Sequence, residues 1–596
     1  MESQPIYQFG RFHLDVAERV LLADGKAVAL APKLFDTLLA LVANAGRILA
    51  KKDLLQQIWP DSYVEENSLN KNVHALRRLL GGKEAQESYI ETIPKRGYRF
   101  SAEVRHTNAG ATTLSARRTR THIVIEEEIE EGKPLATKIA VLPFRTLGSE
   151  ADDHLGLGLA DTLITRLSHL SLIQVRPTSA IVQLAGQPFD SLAVGRELQV
   201  DAVLDGSIRR AGEHLRVNVQ LVSVAHDTPL WAEKFDEQFT NIFAVEDAIA
   251  EQVADALLLK LTSAQRHWLT KRETTSVAAY ELYLRGLQQL HAYSATAMRQ
   301  AIPFFTAAAR QDPQYALAQV RLASCYTLLY IYSHGVPAPQ LAQLAQAAAA
   351  RALELDDSLA EAHAAASQTA LFCLWQPAEA LVAARRAVAL NPHGTFPNLA
   401  LSWALAAHGQ VEEAVTALRR VQQLAPHSPA LNVSLGHLLA FARRYDEAAG
   451  FYHQVLSAIP AHADALRGLG MVNLLCGHMN EVAPLLTAEP STGQAAIVAL
   501  LRAMTCACQG DEAGARAALQ AGQSLPTDAY LRSIYVAAIY AALDSRDEAF
   551  AWLERAWAEH EPMLITLQVH PFLSELRDDP RFGALRRRLG FTEEQP

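Results

Sequence analysis

The sequence predicts a multidomain α+β protein: a small domain of short strands mixed with helices, then an α/β domain, then an all-α solenoid. Three observations carry this. The chain has 596 residues, and at ~100–200 residues per domain that is three to five units. Apolar periodicity changes along it, from short strand and helix patterns mixed together, to strands alternating with helices, to helices alone. Prolines in the last part recur at a near-constant interval.

Half of the residues are apolar, 20% are charged and 7% are aromatic, which excludes a wholly disordered or collagen-like chain. The five cysteines, Cys325, Cys373, Cys476, Cys506 and Cys508, form no C-x-x-C pair. Neither a disulfide framework nor a metal site is expected, and a reduced, cytoplasmic protein is. The first residues, MESQPIYQFGRFHLD, lack the basic-then-apolar order of a signal peptide. No stretch approaches ~18 uninterrupted apolar residues, so no membrane contact through a spanning helix is expected. The net charge of −10 argues against nucleic acid as a general partner, but the charge is unevenly placed. Residues 1–105 hold 15 Lys/Arg against 13 Asp/Glu, net +2, whereas 138–270 hold 11 against 17 and 271–596 hold 24 against 29. Only the N-terminal segment is positive.

Within 1–105, the short runs YQFGRFHLD and KAVALAP read as strands flanking ADGK. KKDLLQQIW (51–59) and ENSLNKNVHALRRLL (66–80) read as helices, joined by PDSYVEE at helix-turn-helix spacing. In the second helix Leu69, Val73, Leu76 and Leu80 are spaced 4, 3 and 4, one apolar stripe at ~100° per residue. The other arc carries Asn67, Asn70, Lys71, His74, Arg77 and Arg78, with no acid among them. Amides and guanidiniums pair with base edges and phosphates in a major groove; the plain alternative is a solvated helix face. SYIETIPKRGYRFSAEV (88–104) reads as two strands with Lys95 and Arg96 at the tip between them, suited to a backbone or minor-groove contact.

Residues 106–137 read as a charged flexible linker: small residues, a basic cluster (Arg117, Arg118, Arg120) that suits an auxiliary DNA-touching arm, then the acid run EEEIEE. In 138–270, KIAVLPF suits a buried strand and GLADTLITRLSHL a helix. HLRVNVQLVSV alternates strictly, with Leu215, Val217, Val219 and Leu221 on one face, and the turn AGEH before it marks a hairpin.

In 271–596, Pro392, Pro426, Pro460, Pro490, Pro526 and Pro562 lie 34, 34, 30, 36 and 36 residues apart. A period of ~34 is the mark of tetratricopeptide (TPR) helix pairs, in which proline stops the second helix. Small residues sit where helices would cross closely: Gly436 and Gly470 in first helices, Ala380, Ala414 and Ala448 in second ones. Seven or eight units are expected, with VHPFLSELRDDPRFGALRRRLG as a terminal cap.

IETIPKRGYRF, the ALRRLL helix and the N-terminal strands resemble the OmpR/PhoB-type winged-helix domain across residues 6–104. The resemblance implies a third helix in the major groove of double-stranded DNA and a wing at the minor groove. Asn67, Asn72, His74 and Arg77, and Thr92 on the wing, match the family's DNA-contact positions. Ala75 and Pro94 stand where many members have arginine, with Lys95 and Arg96 beside the latter. The resemblance also implies that residues 60–66 meet RNA polymerase. Independently, two copies are expected to reach adjacent half-sites on DNA as a homodimer. The chain starts directly with this domain, so neither a phosphoacceptor receiver before it nor the membrane span that follows it in CadC-type members is expected.

AVLPF, GLADTLITRL, LDGSIRR, LRVNVQLV, LWAEKFD and IFAVEDAIA occur in the order in which they resemble a TolB N-terminal-like domain, over roughly 138–260. That resemblance implies an interaction or sensing role. GLGLAD (156–161) lacks the third glycine of a dinucleotide loop, and no P-loop, H-E-x-x-H or G-x-S-x-G occurs. No cofactor and no enzyme activity are expected. Cys506 and Cys508 read as packed small hydrophobes. The expected function is a one-component transcriptional regulator that takes a protein, peptide or small-molecule signal on its TPR groove and middle domain. The alternative is a TPR scaffold with an N-terminal protein-docking module, which the cationic face of 66–80 disfavours.

Overall fold

The computed structural model describes residues 6–16, 20–23, 26–28, 32–58, 69, 72, 73, 76, 77, 80, 89–93, 97–102, 104–107 and most of 138–591. Gaps fall at 148–151, 171, 186–188, 291–293, 333–338, 488–494 and 526–530, and at positions between 258 and 270. Two compact units divide the chain, 1–133 and 134–596.

In the first unit, β1 (Ile6–Phe9), β2 (Phe12–Asp15), β3 (Val20–Ala23) and β4 (Lys26–Val28) form antiparallel neighbours, with β8 (Arg105–Thr107) on the far side of β1. β8 crosses the boundary expected at 105; the linker beyond residue 107 lies outside the described residues. Helix α1 (Pro32–Ala43) follows, then β5 (Ile48–Leu49) and helix α2 (Lys51–Ile58). β6 (Ile90–Ile93) and β7 (Gly97–Phe100) form the expected hairpin, with Thr92 opposite Tyr98, and β5 extends it to three strands. Burial drives the arrangement: Leu38, Leu54, Leu69, Leu76 and Phe100 are all 1% exposed or less and share one core.

The second unit opens with a mixed sheet in the order β11-β9-β12-β13-β14: β11 (Gln174–Val175), β9 (Lys138–Val141), β12 (Ala202–Ala211), β13 (His214–Ser223) and β14 (Thr228–Gln238). β10 (Arg145–Thr146) runs parallel to β12. Leu215, Val217, Val219 and Leu221 of β13 are buried, which is the predicted alternation. Helix Asp153–Ser168 packs against this sheet. Its GLGLAD glycines serve close packing: a Cβ on Gly158 would stand 2.5 Å from the Leu284 side chain.

Eight helix pairs follow among the described residues. They are Val277–Gln289 with Ala295–Gln311, Ala316–Tyr332 with Pro339–Leu355, Ala360–Phe372 with Pro377–Leu390, Thr395–Ala407 with Val411–Gln422, Pro429–Phe441 with Tyr445–Ala458, Ala463–Leu475 with Met479–Thr487, Ala495–Cys508 with Glu512–Gln523, and Ser533–Ala542 with Arg546–Ala558. The period has a backbone cause. A left-handed residue ends the first helix of pairs three to eight, at Trp375, Arg443 and Asp544 and at Gly409, Gly477 and Gly510. Val411–Gln422 shows why these sequences are helical: Glu412 and Glu413 lie in the first turn, Arg419 and Arg420 in the last, and Ala414, Leu418 and Val421 are buried together. Pro392, Pro426, Pro460 and Pro562 each follow a second helix, the last as the first residue of a 3-10 turn, and Pro490 and Pro526 lie outside the described residues.

The sheet and the first helix pairs share one core, from Ile139 to Ala365. A buried polar knot joins them. Arg166 donates to Asp247 at 2.6 Å and to Glu246 at 3.1 Å, and the Tyr280 hydroxyl donates to the other Glu246 oxygen. The C-terminal segment does more than cap the last pair. Pro562–Thr566, Pro571–Leu576 and Pro580–Arg588 turn back, bringing Leu564, Leu573 and Phe582 into one cluster with Phe372, Ala407 and Ile534. The His560 ring stacks on Trp375 at 3.8 Å, Tyr330 donates to the His560 carbonyl at 2.7 Å, and Arg532 donates to the Ile331 carbonyl. Pair eight thereby meets pair two. Of the two helical cysteines, Cys506 is partly buried and Cys508 is exposed.

Candidate nucleic-acid interface

Leu69, Val73, Leu76 and Leu80 are all at most 2% exposed, so the apolar stripe of 66–80 faces the core between α1, α2 and the hairpin. Two side chains flanking that stripe reach protein partners. Asn72 donates to Thr37 Oγ1 on α1 at 3.0 Å, and Thr37 itself is fully buried. Arg77 donates from Nε to the Ile90 carbonyl at 2.9 Å and from Nη2 to Thr92 Oγ1 at 2.7 Å, so it ties the helical segment to β6. Thr92 is exposed. The structure therefore brings Arg77 and Thr92 together and turns Asn72 towards α1. Asn67, Asn70, Lys71, His74, Arg78, Lys95 and Arg96 lie outside the described residues, as do residues 60–66.

The hairpin is held rigidly at its base. Arg99 of β7 pairs with Glu91 of β6 at 2.5 Å across the strands. Gly97 has φ +136°, and a Cβ there would stand 1.9 Å from the Leu49 carbonyl oxygen of β5. The rings of Phe9, Phe12, Tyr89 and Phe100 pack at 5.1–6.1 Å and join the hairpin to the N-terminal sheet. Sequence spacing did not reveal the roles of Thr37, Glu91 and Arg99. The glycine after the wing tip was the one available signal of the tight approach to β5.

A helix carrying polar flanks, packed on two others and bonded to a two-stranded wing, is an arrangement able to enter one groove and straddle the next. Residues 25–100 match the family described as "Transcriptional regulatory protein, C terminal". The N-terminal domain is an OmpR/PhoB-type winged helix. Behind it, residues 135–252 match the second domain of HilA/YgeH-like transcriptional regulators, which covers the mixed sheet and its helices. The winged-helix chain is 29% identical over 231 residues to a Rhizobium meliloti (strain 1021) protein that bears an adenylate cyclase name, covering 39% of each chain. It is 27% identical over 343 residues to the transcriptional regulator HilA of Salmonella typhimurium, covering 56% of each. Among solved structures, the Klebsiella pneumoniae RstA DNA-binding domain in complex with the RstA box is 31% identical. It covers 16% of this chain and 96% of that one, with a TM-score of 0.15. The chain thus spans 39% and 56% of the length of these two curated relatives. Among the described residues no helix is long and apolar enough to cross a membrane.

Proposed function

We propose that the chain is a sequence-specific DNA-binding transcriptional regulator of one-component type, working in the cytoplasm and without catalysis of its own. The observation that carries this is the Arg77–Thr92 link within a domain of the transcriptional-regulatory family: it fixes recognition segment and wing as one reading surface. On this reading Asn67, Asn70, Lys71, Asn72, His74, Arg77 and Arg78 approach the major groove, and Thr92, Lys95 and Arg96 the minor groove. Asn72 and Arg77 act with one side engaged by the protein, as positioning groups that also face DNA. Residues 60–66 are the candidate RNA polymerase contact, and two copies occupy adjacent half-sites. The helical array and the mixed sheet receive the signal, as a protein, peptide or small molecule. The regulator domains at 25–100 and 135–252 support this reading over an enzymatic one, and the cyclase name belongs to a relative of which 39% is matched.

The test is a gel shift with residues 1–133, the first compact unit, on DNA upstream of its own gene at two salt concentrations. A retarded band that weakens steeply with salt is expected. A folded unit, checked by circular dichroism, that retards no fragment at either salt sinks the proposal.

A further inference from the structure

β14 (Thr228–Gln238) is the outermost strand of the mixed sheet. It pairs with β13 along one side, and among the described residues no strand lies along the other. The direction of its free backbone groups follows from the register. Phe239 N–H donates to the Glu213 carbonyl at 2.7 Å, and the pairing steps from there through Glu237 with Leu215, Phe235 with Val217 and Glu233 with Val219. In an antiparallel ladder, hydrogen-bonded and non-hydrogen-bonded pairs alternate. Glu233, Phe235 and Glu237 therefore bond to β13, whereas Ala232, Lys234, Asp236 and Gln238 turn N–H and C=O towards the free edge. All four of the latter are exposed.

An uncovered edge is a template for another strand, and proteins usually blunt such edges with charge, proline or bulges. Here Pro229 and the register shift at Leu221/Val222 close only the first end of β14. The charges over the rest are self-complementary. Let a second β14 lie antiparallel to the first, with the two-fold axis normal to the sheet at Phe235. Lys234 then stands opposite the second copy's Asp236, Asp236 opposite its Lys234, and Ala232 opposite its Gln238. These are the residues with free N–H and C=O groups, so hydrogen bonding and charge select the same register. Shifting by two residues either way sets Lys234 or Asp236 against its own copy. Arg216 bonds only to Oδ2 of Asp236, which leaves Oδ1 for the lysine. Phe235, packed in part against the core, meets its own copy at the axis, at a non-hydrogen-bonded position where side chains come closest. One contact opposes the register: Glu233 faces the second copy's Glu237, a like-charge pair.

We propose that β14 joins two copies of this chain edge to edge, through reciprocal Lys234–Asp236 ion pairs and a backbone ladder centred on Phe235. The occupant is a second copy because the edge selects it. Lys234 blunts the edge against a strand that places no carboxylate opposite it, and a second β14 places Asp236 there. The sheet thereby continues from one copy into the other. This deepens the proposed pairing of two copies on adjacent half-sites: it rests on that reading for its purpose, while its evidence lies wholly within residues 134–596.

The test is the oligomeric state of the full chain, measured without DNA by sedimentation velocity over a wide concentration range. A monomer–dimer equilibrium is expected. Lys234→Pro deletes an N–H that faces the edge and leaves the β13 ladder whole. It should raise the dimer dissociation constant about tenfold or more. Lys234→Asp and Asp236→Lys should each be monomeric alone, because each sets like charges together at both contacts. Mixed, the two should recover the dimer, since every such contact is then Asp against Lys. Both positions are exposed, and circular dichroism checks that each variant is folded; should Lys234→Pro not fold, Lys234→Asp decides. A chain that stays monomeric at every concentration overturns the proposal. So does a dimer that these Lys234 variants leave unchanged, or a mixture no more associated than its components. A full chain that dimerises as expected and retards no DNA leaves the interface standing and sinks the regulatory reading; a monomer that binds DNA does the reverse.

Discussion

Arg77 Nη2 donates to Thr92 Oγ1 at 2.7 Å, and its Nε to the Ile90 carbonyl at 2.9 Å. One guanidinium thus holds recognition segment and wing strand together, and Arg77 carries a stability role beside its proposed contact with DNA. Arg77→Ala should lower the unfolding free energy of residues 1–133 by about 1–2 kcal/mol and, if it also pairs with a base, weaken DNA binding by about 1–3 kcal/mol. Urea denaturation and gel shifts on the same protein separate the two. Thr92→Val should lose part of the stability effect while keeping the charge. Unchanged urea midpoints in both variants would show that the link contributes nothing.

Gly97 cannot become alanine cheaply. Its φ of +136° is unfavourable for any side chain, and the Leu49 carbonyl 1.9 Å from the would-be Cβ is backbone that cannot step aside. Gly97→Ala should destabilise the winged helix by about 2 kcal/mol or more, seen as a drop in its melting temperature. A Tm within one degree of the unaltered protein would contradict the β5–β7 approach.

How much of this was legible follows from what repeats and what does not. The stripe Leu69, Val73, Leu76, Leu80 and the alternation from Leu215 to Leu221 are periodic, and both are buried as expected. At ~100° per residue, Asn72 and Arg77 each stand about 70° from the centre of the stripe, near enough to core partners on either side. Which partner each takes depends on Thr37 and Thr92, 35 and 15 residues away in sequence, and no local pattern encodes that. The same limit hid the return of the C-terminal segment: His560 meets Trp375 and Tyr330, contacts of long sequence separation. The 34-residue period was visible through its prolines, although the left-handed turn residues carry it more regularly.

The Arg166–Glu246–Tyr280 knot predicts mechanical continuity between the mixed sheet and the helix pairs. Burial pushes the Glu246 carboxyl up, and Arg166 opposes that shift. Removing the carboxylate leaves Arg166 with Asp247 as its remaining acid. Glu246→Ala should cost about 3 kcal/mol, and Tyr280→Phe about 1–3 kcal/mol. The unaltered second unit should melt in one transition by calorimetry. Two separate transitions would show that sheet and array fold independently.

Glu561 sets a pH dependence of definite sign. Its carboxyl is 5% exposed, and burial raises it from the ordinary 4.5 to about 7. A raised carboxyl binds its proton more tightly when folded, so its contribution is fully present below pH 4.5 and is lost as the pH rises through 7. His437 and His570, both held down at about 3 by burial with Arg467 adding to it, act in the opposite sense and weaken the fold as the pH falls from 6.5 towards 3. Glu561→Gln isolates the first effect. The variant should gain on the order of 1–3 kcal/mol relative to the unaltered chain on going from pH 5 to pH 8. Parallel Tm curves across that interval would place the Glu561 titration elsewhere.

The division of the chain at 133/134 allows the regulatory proposal to be tested by truncation. The sheet and the helix pairs share a core, so a signal received by the array has a packed route to the mixed sheet; the reading surface belongs to the other unit. Control then acts more naturally by changing self-association than by reshaping the recognition helix, because pairing of two winged helices raises the effective concentration of the second at its half-site. Residues 1–133 alone should bind single half-sites weakly, with affinity indifferent to phosphodonors. The full chain should bind paired half-sites more tightly, by an order of magnitude or more, and should favour one spacing. Lys71→Ala should flatten the salt slope of both by about one unit if that lysine meets a phosphate. Equal affinity of the two forms for every spacing, measured by gel shift and matched by equal transcription from a reporter, would remove the regulatory role proposed for residues 134–596.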